Sequence, residues 1–192
     1  MYESIAPHAL IALGANLPFE GEPPAGTIRR ALAALAEEGL SVLGVSTFYA
    51  TPCFPAGSGP DYVNAAAVLS AGQGDDPASV LARLHAVEAR FGRVREKRWG
   101  MRTLDLDLLA LGDSVFPDAA TQDAWRSLPL DAQVRAVPEQ LILPHPRLQD
   151  RAFVLVPLAD VAPDWVHPRT GQTVSAMLAA LPQSDRDAVK PL

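Results

Sequence analysis

Two periods of apolar and polar residues alternate along this chain, and the switches between them mark out its elements. Residues 8–13 (HALIAL) form a short apolar run that stops at Gly14, the pattern of a buried strand. After the breaker-rich GANLPFEGEPPAG, Ile28, Ala31, Leu32 and Leu35 recur at helical spacing until Gly39 supplies a stop. Residues 40–49 (LSVLGVSTFY) are rich in β-branched and aromatic side chains and predict a strand. Residues 51–60 cannot continue it, because three prolines and two glycines break any ladder. Residues 62–70 (YVNAAAVLS) resume as a strand, antiparallel to the last because the loop is too short for a helical crossover. Asp75, Asp76 and Pro77 then spell a helix start, and Val80, Leu84, Val87 and Phe91 make one apolar stripe from which Glu88 departs. Residues 103–111 (TLDLDLLAL) are the clearest strand in the chain.

Beyond that strand the signal weakens. Residues 113–139 show little periodicity and read as an irregular insertion; residues 142–151 (ILPHPRLQDR) are extended and restrained by proline. Residues 152–158 form a short apolar turn or helix, and residues 173–181 a closing helix. The order strand, helix, strand, strand, helix, strand predicts an α+β, ferredoxin-like fold. Its sheet is mainly antiparallel, with helices in a three-layer α/β/α arrangement. Residues 1–192 read as one domain carrying the 113–139 insertion.

Charge changes this picture locally rather than globally. The chain carries a net charge of −6, yet residues 90–102 hold six of its sixteen basic residues and one acid, Glu96. A small basic patch on an acidic body suits a compact anion such as a nucleotide better than a long nucleic acid. The single cysteine, Cys53, can form no internal disulfide, and the first residues, MYESIAPH, lack the pattern of a secretory leader. A cytoplasmic protein is expected, with its oligomeric state open and a monomer slightly favoured.

The stretch GRVREKRWGMRTLDLD, residues 92–107, concentrates the chemistry. In a strand, Asp105 and Asp107 share one face while Leu104, Leu106 and Leu108 share the other. Such a pair can be the wet face of a half-buried strand. Equally, two carboxylates beside a core repel unless cations bridge them, and Mg²⁺ takes one or two carboxylates together with phosphate oxygens and water. The preceding loop can likewise be a solvated charge run. Against that, Trp99 gains nothing from exposure, whereas an indole flanked by guanidinium groups can stack a heterocycle and grip phosphates.

Thr51, Pro52, Phe54, Tyr62 and Asn64 fall on either side of one turn. Asn64 stands out, because a carboxamide within an apolar strand must find partners and offers a donor and an acceptor side by side. His145 lies between Pro144 and Pro146, followed by Arg151 and Phe153, which makes that segment a candidate second jaw. The four histidines show no metal-ligand spacing, which argues against zinc.

Four segments in order, LGANL, STFYATPCF with DYVNAAAVL, VEARFGRVREKRWGMRTLDLDLLALG and LPHPRLQDRAFVLVPLADVAP, make the chain similar to the 6-hydroxymethyl-7,8-dihydropterin pyrophosphokinases of folate biosynthesis. The resemblance implies transfer of the β,γ-diphosphate of ATP to the hydroxymethyl group of the pterin, giving AMP. It implies a pterin pocket from Thr51, Pro52, Phe54, Tyr62, Asn64, Trp99 and Phe153. ATP would fall to Glu88, Arg93, Arg95, Trp99, Arg102, Leu108, His145 and Arg151. Asp105 and Asp107 would hold two Mg²⁺, and Arg93, Arg102, Asp105 and Asp107 would be the catalytic set. The chain departs from the family pattern at Met101, where a proline is usual, at Cys53 and Phe54, and in the length of residues 113–139.

Two other readings compete. A ferredoxin-like sheet with Trp99 and the arginines would suit a nucleic-acid binder, though Asp105 and Asp107 would then repel the ligand. A nucleotidyltransferase also uses paired aspartates and would release pyrophosphate.

Overall fold

The computed structural model describes residues 8–53, 59–72, 74–92, 102–129, 132 and 135–192. Among these, six strands form one sheet: β1 (His8–Ala15), β2 (Ser41–Val45), β3 (Tyr49–Thr51), β4 (Tyr62–Ser70), β5 (Asp105–Leu111) and β6 (Lys190–Pro191). The order is β5-β1-β4-β3-β6, with β2 also on β4, and every pairing is antiparallel. Counting β2 and β3 as two halves of one strand gives the ferredoxin-like order expected from the sequence.

That split corrects the single strand read over residues 40–49. Ser46 interrupts it: its N–H donates to the Ala66 carbonyl at 2.9 Å, while its Oγ accepts the Ala66 N–H at 2.9 Å. A side chain thus replaces one rung of the backbone ladder.

Helices α1 (Pro24–Glu37) and α2 (Pro77–Arg90) cover one face of the sheet. Their apolar stripes, including Ile28, Leu35, Val80 and Leu84, pack with Ile11, Leu13, Leu69, Leu106 and Leu108 in one core. α1 stops where expected, at Gly39 with φ +76°, a conformation that other residues adopt at a cost. α2 begins where expected: Asp76 accepts the Ser79 N–H at 2.7 Å ahead of Pro77.

On the opposite face, α4 (Ala152–Val161) and α5 (Val174–Ala180) enclose a second core with Leu10, Ala66, Leu109 and Ala110. The register slips opposite Leu109, so Leu109 and Ala110 both turn toward this core. This cover stops short of the other end of the same face, where Gly14, Tyr62, Asn64, Asp105 and Asp107 lie.

Residues 113–129, within the stretch read as an irregular insertion, are more ordered than their sequence suggests. They contain α3 (Ala119–Arg126), capped by Asp118, whose carboxylate accepts the Thr121 N–H at 2.8 Å. α3 has no apolar stripe to betray it, and the residue it buries is Gln122. A short helix, α6 (Gln183–Asp187), and β6 close the chain; neither was legible beforehand.

Candidate active site

The site is built on one row of the sheet. Asp105 on β5 lies opposite Gly14 on β1, Gly14 opposite Asn64 on β4, and Asn64 opposite Tyr49 on β3. One row inward, Asp107 faces Ala12 and Ala12 faces Ala66. Strands sit roughly 4.8 Å apart, so the backbones that carry Asp105 and Asn64 are about 10 Å apart, with glycine and alanine on the floor between them. Gly14 keeps that floor low: a Cβ there would meet Asn64 Oδ1 at 3.0 Å and Tyr62 Cδ1 at 3.9 Å.

Asn64 is oriented by Thr51, to whose Oγ1 its Nδ2 donates at 2.6 Å. The partner that a carboxamide in an apolar strand must find is thus Thr51, across the turn. Tyr62 lies close by, and burial raises its phenol pKa, with Arg102 lowering it and Asp105 raising it. The ring is thus within the field of the charged end of the row.

On β5, Asp105 and Asp107 share a face opposite Leu106 and Leu108, as the alternation predicts. The Arg102 guanidinium forms an ion pair with Asp105, and both side chains are largely shielded from solvent. Leu108 packs its side chain in the helix-side core, on the far face from the aspartates. Glu88 is also set apart from them. It is 1% exposed, and its Oε1 accepts the Leu106 N–H at 2.7 Å, so it braces the edge strand between the two aspartates.

The second jaw comes from the segment after β5. His145 donates its backbone N–H to the Leu109 carbonyl at 2.8 Å, which ties it to the aspartate strand. Its Nδ1 accepts the Arg147 N–H at 3.1 Å, so the neutral ring carries its proton on Nε2. Burial first, then Arg151 and Arg147, lower its pKa to about 3, against a smaller raising effect of Asp105. Burial also lowers the Arg151 pKa, opposed by Asp107 and Asp105. These mutual effects bring His145, Arg151 and both aspartates into one electrostatic cluster. The Arg151 guanidinium lies 5.6 Å from the centre of the Phe153 ring, which is 40% exposed at the start of α4.

Asn16 escaped the sequence reading. It is 3% exposed, and its carboxamide accepts the Arg102 N–H at 2.8 Å and donates to the Pro60 carbonyl at 3.1 Å. Its backbone N–H and that of Leu17 reach the Arg102 carbonyl at 3.0 and 3.1 Å. One side chain thereby joins the end of β1 to the approaches of β4 and β5. The available signal was its place directly after a buried strand, where a carboxamide needs partners.

Phe54, Arg93, Arg95, Trp99 and Met101 lie outside the described residues. Among the described residues no group of three or more His, Cys, Asp or Glu side chains converges as a metal cage. Two hard carboxylates on one strand fit Mg²⁺, which leaves most of its coordination to water and phosphate. No helix among the described residues is long and apolar enough to cross a membrane.

Residues 10–163 match the family described as 7,8-dihydro-6-hydroxymethylpterin-pyrophosphokinase. A Synechocystis 2-amino-4-hydroxy-6-hydroxymethyldihydropteridine pyrophosphokinase is 36% identical over 96% of this chain and 80% of its own length. The Pseudomonas aeruginosa protein of that name is 36% identical over 90% of each. Among solved structures, wild-type Plasmodium falciparum HPPK-DHPS with pterin and p-hydroxybenzoate superposes with a TM-score of 0.64 at 16% identity. The similarity covers 93% of this chain and 44% of that one, and at that identity it shows the fold.

Proposed function

The chain belongs to the 7,8-dihydro-6-hydroxymethylpterin-pyrophosphokinase family, and on that premise we propose how its residues divide the work. The reaction moves a diphosphate from ATP to the hydroxymethyl group of 6-hydroxymethyl-7,8-dihydropterin in folate biosynthesis. The observation that carries our assignment is the row Asp105, Gly14, Asn64, which sets a charged end and an amide end across a flat floor.

The pterin lies over Gly14, with Asn64 reading its edge and Thr51, Pro52, Tyr62 and Phe153 around it; Phe54 and Trp99 are assigned to the same substrate by the resemblance alone. The ATP phosphates lie over β5. Asp105 and Asp107 would hold two Mg²⁺, which would neutralise phosphate charge. Arg102, between Asp105 and Tyr62, touches both substrates, and Arg93 and Arg95 add charge to the polyphosphate. His145 donates Nε2–H to the α-phosphate, and Arg151 supplies a guanidinium beside it. The hydroxymethyl oxygen forms a bond to the β-phosphorus while the bond from that phosphorus to the α,β-bridging oxygen breaks. AMP departs with the electron pair, and Asp107 takes the hydroxyl proton. Developing charge on the bridge is met by fixed donors rather than by mobile water.

Glu88 and Leu108 also brace β5 from the helix side, and both remain assigned to ATP, Leu108 through its backbone. A single chain supplies every assigned residue, so we propose that a monomer suffices, working in the cytoplasm where ATP and the pterin are dissolved. The nucleic-acid reading loses its support with the family assignment. The test is the product mixture from ATP, Mg²⁺ and hydroxymethyldihydropterin, resolved by mass. AMP and pterin diphosphate in equal amounts are expected; ADP, or free pyrophosphate from the nucleotide, would overturn the assignment.

A further inference from the structure

Gln122 is fully buried, yet its carboxamide is only half used. Its Nε2 donates to the Pro144 carbonyl at 3.1 Å, while its Oε1 finds no partner among the described residues. A buried amide with an idle oxygen is a cost that an apolar side chain of the same size would avoid. Its one bond therefore marks what the position is for.

The Pro144 carbonyl and the His145 N–H belong to the same peptide group. The N–H donates to the Leu109 carbonyl on β5 at 2.8 Å, and the carbonyl accepts from Gln122 on α3. That peptide plane is held from both sides, so the direction in which His145 leaves the backbone is set by β5 and α3 together. The Arg147 N–H then fixes the ring through Nδ1.

α3 is itself anchored. Asp123 takes the Arg169 guanidinium through both oxygens, with Nε at 3.1 Å from Oδ1, and also accepts from Arg126 at 2.9 Å. The loop bearing Arg169 is wound around buried His167, whose Nδ1 accepts the Arg169 and Thr170 N–H groups at 3.1 and 3.3 Å. Trp165, at the start of that loop, donates to the Gly112 carbonyl just after β5 at 3.1 Å. The brace thus starts on the aspartate strand and ends one residue beyond it.

We infer that Gln122 is a positioning residue for ATP recognition, and that α3, in the 113–139 stretch, serves to hold the Pro144–His145 peptide so that His145 meets the nucleotide phosphate. This rests on the assignment of His145 to ATP, and the test separates the two. In the full chain, Gln122→Met should raise the KM for ATP about three- to tenfold, leaving kcat and the pterin KM within about twofold. Added to His145→Ala, it should cost nothing more, because the residue it positions is gone. In ¹⁵N spectra the single Nε2–H tautomer of His145 should give way to a mixture in Gln122→Met. An unchanged ATP KM, or full additivity with His145→Ala, would overturn the inference while leaving His145 as a ligand. If His145→Ala itself leaves the ATP KM unchanged, the assignment to ATP falls, and the tautomer signal alone decides whether Gln122 orders the ring. Should Gln122→Met fail to fold, Asp123→Asn at the partly exposed anchor is read by the same cycle, with a smaller shift in the same direction expected.

Discussion

The Glu88 carboxylate accepts the backbone N–H of Leu106 at 2.7 Å, from a side chain that is almost wholly buried in α2. Leu106 stands between Asp105 and Asp107 on an edge strand, so this bond sets the position of both aspartates relative to the helix layer. Glu88→Ala removes the acceptor and leaves a void. A loss of roughly 2–4 kcal/mol in unfolding free energy is expected from denaturant titration. Glu88→Gln keeps an acceptor oxygen and should recover much of it. A Glu88→Ala protein as stable as the parent would remove the bracing role.

Asn16 connects two halves of the site through opposite ends of one carboxamide. Asn16→Asp retains the acceptor for Arg102 and loses the donor to Pro60. It should keep more activity than Asn16→Ala, which loses both and should cost about 1–3 kcal/mol of stability. Equal kcat/KM for the two variants would show that the Arg102 bond is not the one that matters.

Gly14 is required by space rather than by backbone conformation, since a methyl group there would stand 3.0 Å from Asn64 Oδ1. Gly14→Ala should displace the carboxamide and raise the pterin KM about tenfold or more, equivalent to about 1.4 kcal/mol, with the ATP KM little changed. The opposite pattern, ATP weakened and pterin unaffected, would place the pterin elsewhere.

Burial depresses the pKa of His145 to about 3 and that of His167 to about 4. Each ring is neutral in the fold but takes a proton in the unfolded chain below about pH 6.5, so stability is lost as pH falls from there toward 4. Each histidine contributes a slope of up to about 1.4 kcal/mol per pH unit in that window. Denaturant titration at pH 7, 6, 5 and 4 should show the decline, and His167→Gln should flatten it even if it lowers the starting value. Over pH 5–8 the ATP KM should show no inflection from His145, because its Nε2–H donor persists throughout. An inflection near 6.5 that vanishes in His145→Ala would contradict this.

Residues that obey a local period were legible in the sequence. Asp105 and Asp107 against Leu106 and Leu108, the capped start of α2 and the stop at Gly39 each follow from spacing or from a neighbour's chemistry. Asn64 was legible because a carboxamide inside an apolar run must be satisfied. What stayed hidden depends on partners far along the chain. Ser46 splits a strand through Ala66, Asn16 meets Arg102 across 86 positions, and Gln122 reaches Pro144 from a helix with no apolar stripe. Glu88 leaves the α2 stripe, and its departure points one carboxylate oxygen at the Leu106 N–H. The Leu108 side chain obeys the strand period and faces the core, which leaves only its backbone for the ATP contact the resemblance implies.

The central claim is that the β5 carboxylates serve the polyphosphate rather than the fold. Among the described residues no hydrogen bond or ion pair holds the Asp107 carboxylate, so its removal should leave the architecture intact. The direct measurement is steady-state turnover of Asp107→Ala with ATP, Mg²⁺ and hydroxymethyldihydropterin, alongside its unfolding midpoint. An unchanged midpoint with kcat down at least about a hundredfold is expected, the scale of losing a charge-stabilising group at a reacting centre. A folded Asp107→Ala protein with near-normal turnover would contradict the account.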